Sequence, residues 1–299
     1  LTFVLLTIMA FIYLERRGVG RFQVRLGPNR AGPFGVLQPI ADAIKVLLKE
    51  DIVPAKGDRW VHWLAPIIVF VPALMVFAVV PFHEGHGLIP DLNIGILYIV
   101  AISALSVVGV FMAGWASNNK YSLVGAMRTV AQMISYEIPL VLSIIGVVLI
   151  SGSLSMNRIV EAQGTSPYIP FFLLTPLGFL IYFFSAIAEI NRSPFDLLEA
   201  ESEIVAGYHT EYSGMKFALF YLGEYGHALA MSAIAATLFF GGWLGPGSSY
   251  IGVLWFLIKV FLIFFLLFWV RSTFPRLRID QLMGFAWKFL FPLALINLF

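Results

Sequence analysis

IGVLWFLIKVFLIFFLLFWV (251–270) carries a single ionisable side chain, Lys259, and no proline or internal polar run. As an α-helix rising about 1.5 Å per residue, this stretch crosses the roughly 30 Å hydrocarbon core of a bilayer. Its apolar residues do not alternate with polar ones, so it reads as a helix and not as a barrel strand; lipid leaves only those two choices. Seven further stretches read the same way: roughly 1–16, 62–81, 95–116, 129–151, 169–188, 216–242 and 280–299. The expected fold is therefore all-α, a polytopic membrane bundle of about eight transmembrane helices with amphipathic helices on one side, forming one domain over 1–299. Composition agrees. The chain is 60% hydrophobic and 12% charged, with 28 Phe, about half the charge of an average soluble domain. It has no Cys, which excludes disulfides, thiolate zinc sites and Cys-bound iron–sulfur clusters on this chain.

Charge sets the expected topology. Of the 19 basic residues, all but Arg158, Lys259 and Lys288 fall in or at the edges of the first, third, fifth and seventh connections. By the positive-inside rule those connections (17–61, 117–128, 189–215 and 272–279) face the cytoplasm and both termini face out. The chain opens on Leu1, so a few residues are expected before it. The stretch 1–16 lacks a basic leader and ends in Glu15-Arg16-Arg17, the pattern of a first span and not of a signal peptide.

The first long connection begins GRFQVRLGPNRAGPFG (20–35), where Gly and Pro turns alternate with Arg21, Arg25 and Arg30. A helix is expected over 36–50. Val36, Leu37, Ile40, Ile44, Leu47 and Leu48 lie on one face and Gln38, Asp42, Lys45 and Lys49 on another, with Pro39 in the tolerant first turn. Amphipathicity alone suits a membrane-surface helix. The rigid Gly/Pro/Arg turn before it suits a platform for a partner, or the rim of an entrance for a lipid-soluble substrate.

The fifth connection is acidic. Asp196, Glu199, Glu201, Glu203 and Glu211 lie between Arg192 and Lys216, with Glu189 just upstream. In a helix over 195–206, Asp196, Glu199 and Glu203 would share a face and repel. Two readings stand level: carboxylates that are solvated or paired with Arg, and a cluster that exchanges protons because burial and neighbours shift its members. Within the spans, Glu137 (with Pro139 two residues on) and Glu224 (between Gly223 and Gly226, with His227 a turn later) lie too deep to reach water. Intramembrane carboxylates normally serve transport or proton relay. For Lys259 and Lys288, snorkelling competes with that role. His83, Glu84 and His86 read as a solvated loop, so no metal site is expected. Phosphate-loop, dinucleotide, nucleophile-elbow and nucleic-acid signatures are missing from the sequence.

ERRGVGRFQVRLGPNRAGP (15–33) with GVLQPIADAIKVLLKE (35–50), NRSPFDLLEAESEIVAG (191–207) with EYSGMKFALFYLGEY (211–225), and RSTFPRLRIDQLM (271–283) together resemble subunit 1 of respiratory complex I, known in bacteria as the H subunit. The resemblance covers nearly the whole chain. Leu198 departs from the commoner Pro, Thr or Ala there and alters no acidic position. The resemblance implies a membrane subunit of NADH:quinone oxidoreductase that carries no redox group itself. It would form much of a chamber for quinone and join the peripheral arm, whose subunits hold flavin and iron–sulfur clusters, to antiporter-like membrane subunits. By matching position, Arg25, Asp196, Glu199, Glu201 and Glu203 fall at the chamber and coupling loop, and Glu137, Glu189, Glu211 and Glu224 on a proton relay. A bacterial plasma membrane is the expected location. The neighbouring possibilities are the homologous membrane component of a proton-pumping hydrogenase or of a ferredoxin- or F420-linked dehydrogenase, and a stand-alone transporter. The halves show no internal correspondence of the kind a transporter predicts.

Overall fold

The computed structural model describes residues 2–83, 91–164, 169–196, 206–246 and 251–299. Its long elements follow the chain as α1 (Thr2–Phe22), α2 (Gln38–Leu47), α3 (Arg59–Met75), α4 (Gly95–Ala116), α5 (Lys120–Ser151), α6 (Met156–Gln163), α7 (Phe171–Leu174), α8 (Pro176–Glu189), α9 (Gly214–Phe240), α10 (Gly252–Thr273), α11 (Ile279–Phe285) and α12 (Phe291–Ile296). A π-helical turn, Ala286–Leu290, joins α11 to α12. The described residues contain no strand, and each of the eight apolar stretches is helical.

Five helical runs are long and apolar enough to cross a bilayer: Arg59–Ala78, Gly95–Ala116, Lys120–Ser151, Gly252–Thr273 and Ile279–Ile296. The chain is thus a polytopic membrane bundle. The expected count of eight is not met by this measure, for physical reasons. α1 carries Glu15, Arg16, Arg17 and Arg21 in its second half, α9 has its apolar run broken by Lys216, Gly223, Glu224, Gly226 and His227, and α8 is only 14 residues long because Thr175 breaks it from α7.

Local chemistry explains the boundaries. The Asp58 side chain accepts from the amides of Trp60 and Val61 and starts α3; Asn119 accepts from Tyr121 and starts α5. α5 therefore begins about two and a half turns before the expected 129, and the expected connection 117–128 is mostly helix. Ser155 caps α6, a short helix within the connection expected after α5.

α9 is the axis of the bundle. Every residue from Tyr225 to Phe239 is buried, as a helix that is apolar all round requires. Small residues let its neighbours approach: a Cβ on Gly226 would sit 3.0 Å from the Ala73 Cβ of α3. α3, α10, α8 and α1 all pack on it, while α5 bridges α4 and α8.

α2 lies at the edge of the bundle with none of its residues buried. Gln38 and Asp42 are partly covered, and Asp42 takes an ion pair from Arg16 of α1 and a 3.0 Å hydrogen bond from Gln38 Nε2. Ile40, Ile44 and Leu47 face away from the protein. The turn before it is rigid. Arg17 donates to the Tyr13 hydroxyl at 2.6 Å and lies over the Phe34 ring, while Tyr13 donates to the Phe34 carbonyl. Gly35 has φ +78°, and a Cβ there would fall 2.1 Å from the Pro28 carbonyl oxygen.

Candidate functional site

Four charged side chains from four parts of the chain meet where α1, α8, α9 and α10 converge. Arg192, in the turn after α8, directs Nε to Glu224 Oε1 at 2.5 Å and a terminal guanidinium nitrogen to Glu15 Oε1 at 3.3 Å. Arg271, near the end of α10, pairs with the same Glu15 oxygen. The Arg192 guanidinium also lies 4.4 Å from the centre of the Tyr225 ring, and the Tyr225 and Tyr221 hydroxyls are 3.3 Å apart. The side chains of Glu15 and Arg192 are only 6% and 12% exposed. Burial acts against the charge on Arg192, but Glu224, Tyr225 and Glu15 raise it well above the ordinary guanidinium value. Two carboxylates and two guanidiniums make the group neutral as a unit, which is how buried charge survives in a medium of low dielectric constant.

The turn that presents Arg192 is fixed from behind by α5. Asn191 adopts φ +56° and Ser193–Pro194 is a cis peptide. Gln132, fully buried, donates to the carbonyls of Ala188 at 2.6 Å and Phe195 at 2.8 Å. The Tyr136 ring packs on Phe195, and Leu277 N–H donates to the Pro194 carbonyl at 2.9 Å. Replacing Gln132 by Leu strips the Phe195 carbonyl of this donor at a buried site. The expected loss is about 1–3 kcal/mol, read as a lower midpoint of thermal inactivation in detergent; an unchanged midpoint would show that α5 does not brace the turn.

Clefts open on either side of this group. One, of about 330 Å³, is lined by Glu15, Arg192, Tyr225, Phe264, Phe268 and Arg271. The other, of about 450 Å³, is lined by Asp196, Tyr208, His209, Tyr221, Glu224 and Arg271 among others. The second is aromatic with an acidic and basic edge. Burial and then Glu224 raise the Tyr208 phenol above its usual value, so it remains a potential O–H donor.

The structure brings some of the expected residues together and separates others. Glu224 and Asp196 border the larger cleft. Glu189 ends α8 with its side chain buried and its Oε2 without a hydrogen-bond partner. Burial, and after it the half-buried Glu137 of α5, disfavours its ionised form. Glu211 stands apart, taking a 2.7 Å hydrogen bond from Asn119 Nδ2. Arg25 is exposed and donates to Gln23 Oε1 at 2.8 Å. Glu199, Glu201 and Glu203, with most of the expected 195–206 helix, lie outside the described residues. Lys259 donates to the carbonyls of Gly242 at 2.9 Å and Leu244 at 2.5 Å, just past the end of α9. Lys288 is exposed on the π-helical turn. His227 is buried without a partner at Nε2. Among the described residues no group of three or more His, Cys, Asp or Glu is arranged to hold a metal ion.

Four members of the site, Glu15, Gln132, Arg192 and Arg271, do not announce themselves in the sequence. Glu15 and Arg271 read there as span ends and Arg192 as the border of an acidic run. The available signal is Glu15 itself, an acid ahead of the Arg pair and still within the apolar stretch.

Comparison with known proteins adds the family. The NADH dehydrogenase family model matches residues 1–299. The chain is similar to the H subunit of NADH-quinone oxidoreductase from Dehalococcoides mccartyi, at 65% identity over 296 residues, covering 99% of this chain and 82% of the relative. The proteins of that name from Brevibacillus brevis and Carboxydothermus hydrogenoformans are 53% and 49% identical, covering 96% and 100% of this chain and 85% of each relative. A match from end to end, with relatives of this identity, means that the chain belongs to the NADH dehydrogenase family.

Proposed function

We propose that this chain is a membrane subunit of a proton-translocating NADH:quinone oxidoreductase, with no redox group of its own. It forms much of the chamber through which quinone arrives from the bilayer and couples quinone reduction to proton movement. It docks the peripheral arm, whose subunits carry flavin and iron–sulfur clusters, and adjoins antiporter-like membrane subunits. The bundle crosses a bacterial plasma membrane about eight times with both termini outside. One observation carries the reading: Arg192 is held between Glu15 and Glu224, and the Glu224 edge of that group opens on an aromatic cleft.

In this mechanism the chain acts through charge. A quinone head in or near the larger cleft gains negative charge as it is reduced and draws protons toward itself. The network cannot absorb that change silently, because each of its members is balanced by the others at low dielectric. Protonation at Glu224 then shifts the load on Arg192, and the turn carrying Arg192 leads directly back to Glu189 and, beside it, Glu137. Those two carboxylates pass the change onward along the bundle. Arg25 and α2 lie at the rim, where the outward apolar face of α2 meets lipid.

A photoreactive quinone added to the assembled complex is expected to label peptides within 206–225, with excess unlabelled quinone competing; labelling confined to other subunits would overturn the chamber. Arg25→Ala is expected to leave stability within about 0.5 kcal/mol, as for an exposed side chain, while raising the apparent KM for quinone or lowering recovery of the peripheral arm. Unchanged KM together with full recovery would remove Arg25 from the rim.

A further inference from the structure

Lys216 sits in the first turn of α9, where the helix dipole disfavours a cation, and its side chain is only 10% exposed. Its position is explained by partners from the first long connection and the foot of α3. Its Nζ lies 2.9 Å from Asp51 Oδ2 and 3.5 Å from His62 Nδ1. His62 is fully buried and stacks on Tyr212, with ring centres 4.0 Å apart and planes 4° from parallel. The backbones are also pressed together. Gly214 has φ +57°, and a Cβ on it would lie 3.2 and 3.3 Å from the carbonyl oxygens of Lys49 and Glu50.

We propose that Asp51, His62 and Lys216 form an ionic clasp that fixes the end of the first long connection to the start of α9, and that Lys216 is a positioning residue for the quinone chamber. The clasp ties the 206–214 segment, the last part of the fifth connection, to the end of the first connection. That segment carries Tyr208 and His209 into the larger cleft and leads to Glu211. Movement at the rim formed by the first connection is thereby transmitted to the cleft wall. The inference rests on the chamber reading above, which quinone labelling of the unaltered complex tests separately.

The test uses the assembled complex carrying Lys216→Met, Asp51→Asn, or the charge exchange Asp51→Lys with Lys216→Asp. Asp51 has a side chain 55% exposed, so Asp51→Asn is the variant expected to assemble even where Lys216→Met does not. Amide hydrogen exchange in peptides covering 206–214 is expected to rise at least fivefold in both single variants, with the apparent KM for quinone up at least threefold and kcat changed less. The charge exchange is expected to bring both measures back toward the unaltered values. Unchanged exchange in Asp51→Asn would overturn the clasp. Raised exchange with unchanged KM would overturn the positioning role.

Discussion

Replacing Arg192 by Leu is expected to cut the yield of assembled complex several-fold and to abolish quinone reduction in what does assemble. The substitution removes the guanidinium that pairs with Glu224, whereas Arg271 pairs with Glu15. Glu15 would keep Arg271, but Glu224 would face the cleft as a carboxylate without Arg192, and the neutral group would acquire a net negative charge. Breaking a buried pair in this way costs about 3–5 kcal/mol. The lower end applies, because the Glu224 side chain is 24% exposed and keeps some solvation. Arg192→Lys is the informative companion. An ammonium restores the charge but cannot direct one nitrogen to Glu224 and another to Glu15 while its centre lies over the Tyr225 ring. It is expected to recover assembly while leaving quinone reduction well below that of the unaltered complex. The measurement is quinone reduction relative to NADH oxidation by an artificial acceptor, which corrects for the amount of assembled complex. Normal activity in Arg192→Leu would mean that the four-charge group is a joint and not part of the working site.

The bundle is legible in the sequence because its deciding signals are local. Each apolar stretch is a run within one helix, Asp58 stands just before the α3 run, and Pro39 sits where a first turn tolerates it. The departures also have local causes. Lys120 and Arg128 make 117–128 resemble a loop, yet a helix can carry charge on its end as it leaves the hydrocarbon, and Asn119 is the cap that marks its start. In the connection after α5, Ser155 three residues before Arg158 gives the same kind of signal for α6. The site is less legible. Its acids stand out one by one because each is an ionisable residue in or beside an apolar run, but their partners are a matter of tertiary structure. Arg192 meets Glu15 across 177 positions and Arg271 meets it across 256. Nothing in the spacing of NRSPFD indicates that its Arg turns inward, because Gln132, on another helix, holds that turn in place.

Glu189→Gln is expected to separate stability from function in opposite directions. Glutamine matches the protonated form of glutamate in shape and removes an acid whose ionised form is disfavoured first by burial and then by the neighbouring Glu137. Glu189 Oε2 accepts no hydrogen bond that the change would break, and its side chain is too buried for water to compensate the charge. Thermal stability should therefore hold or rise. The amide, however, can neither take up nor release a proton at neutral pH. If Glu189 passes protons between the Arg192 turn and Glu137, pumping should fall by roughly tenfold or more, the scale on which positioned proton-transfer groups act, and coupled turnover should fall with it. Glu137→Gln should give the same loss, and the double variant little more than either alone, since two members of one path do not add. The comparison is made in proteoliposomes, with proton uptake and NADH oxidation followed together. Pumping at the unaltered rate in Glu189→Gln would leave the buried acid pair without a part in coupling. A fall in stability in parallel with activity would instead assign the loss to packing. Only the combination of an intact, equally stable complex and lost pumping supports a carboxylate kept for its proton and not for its fit.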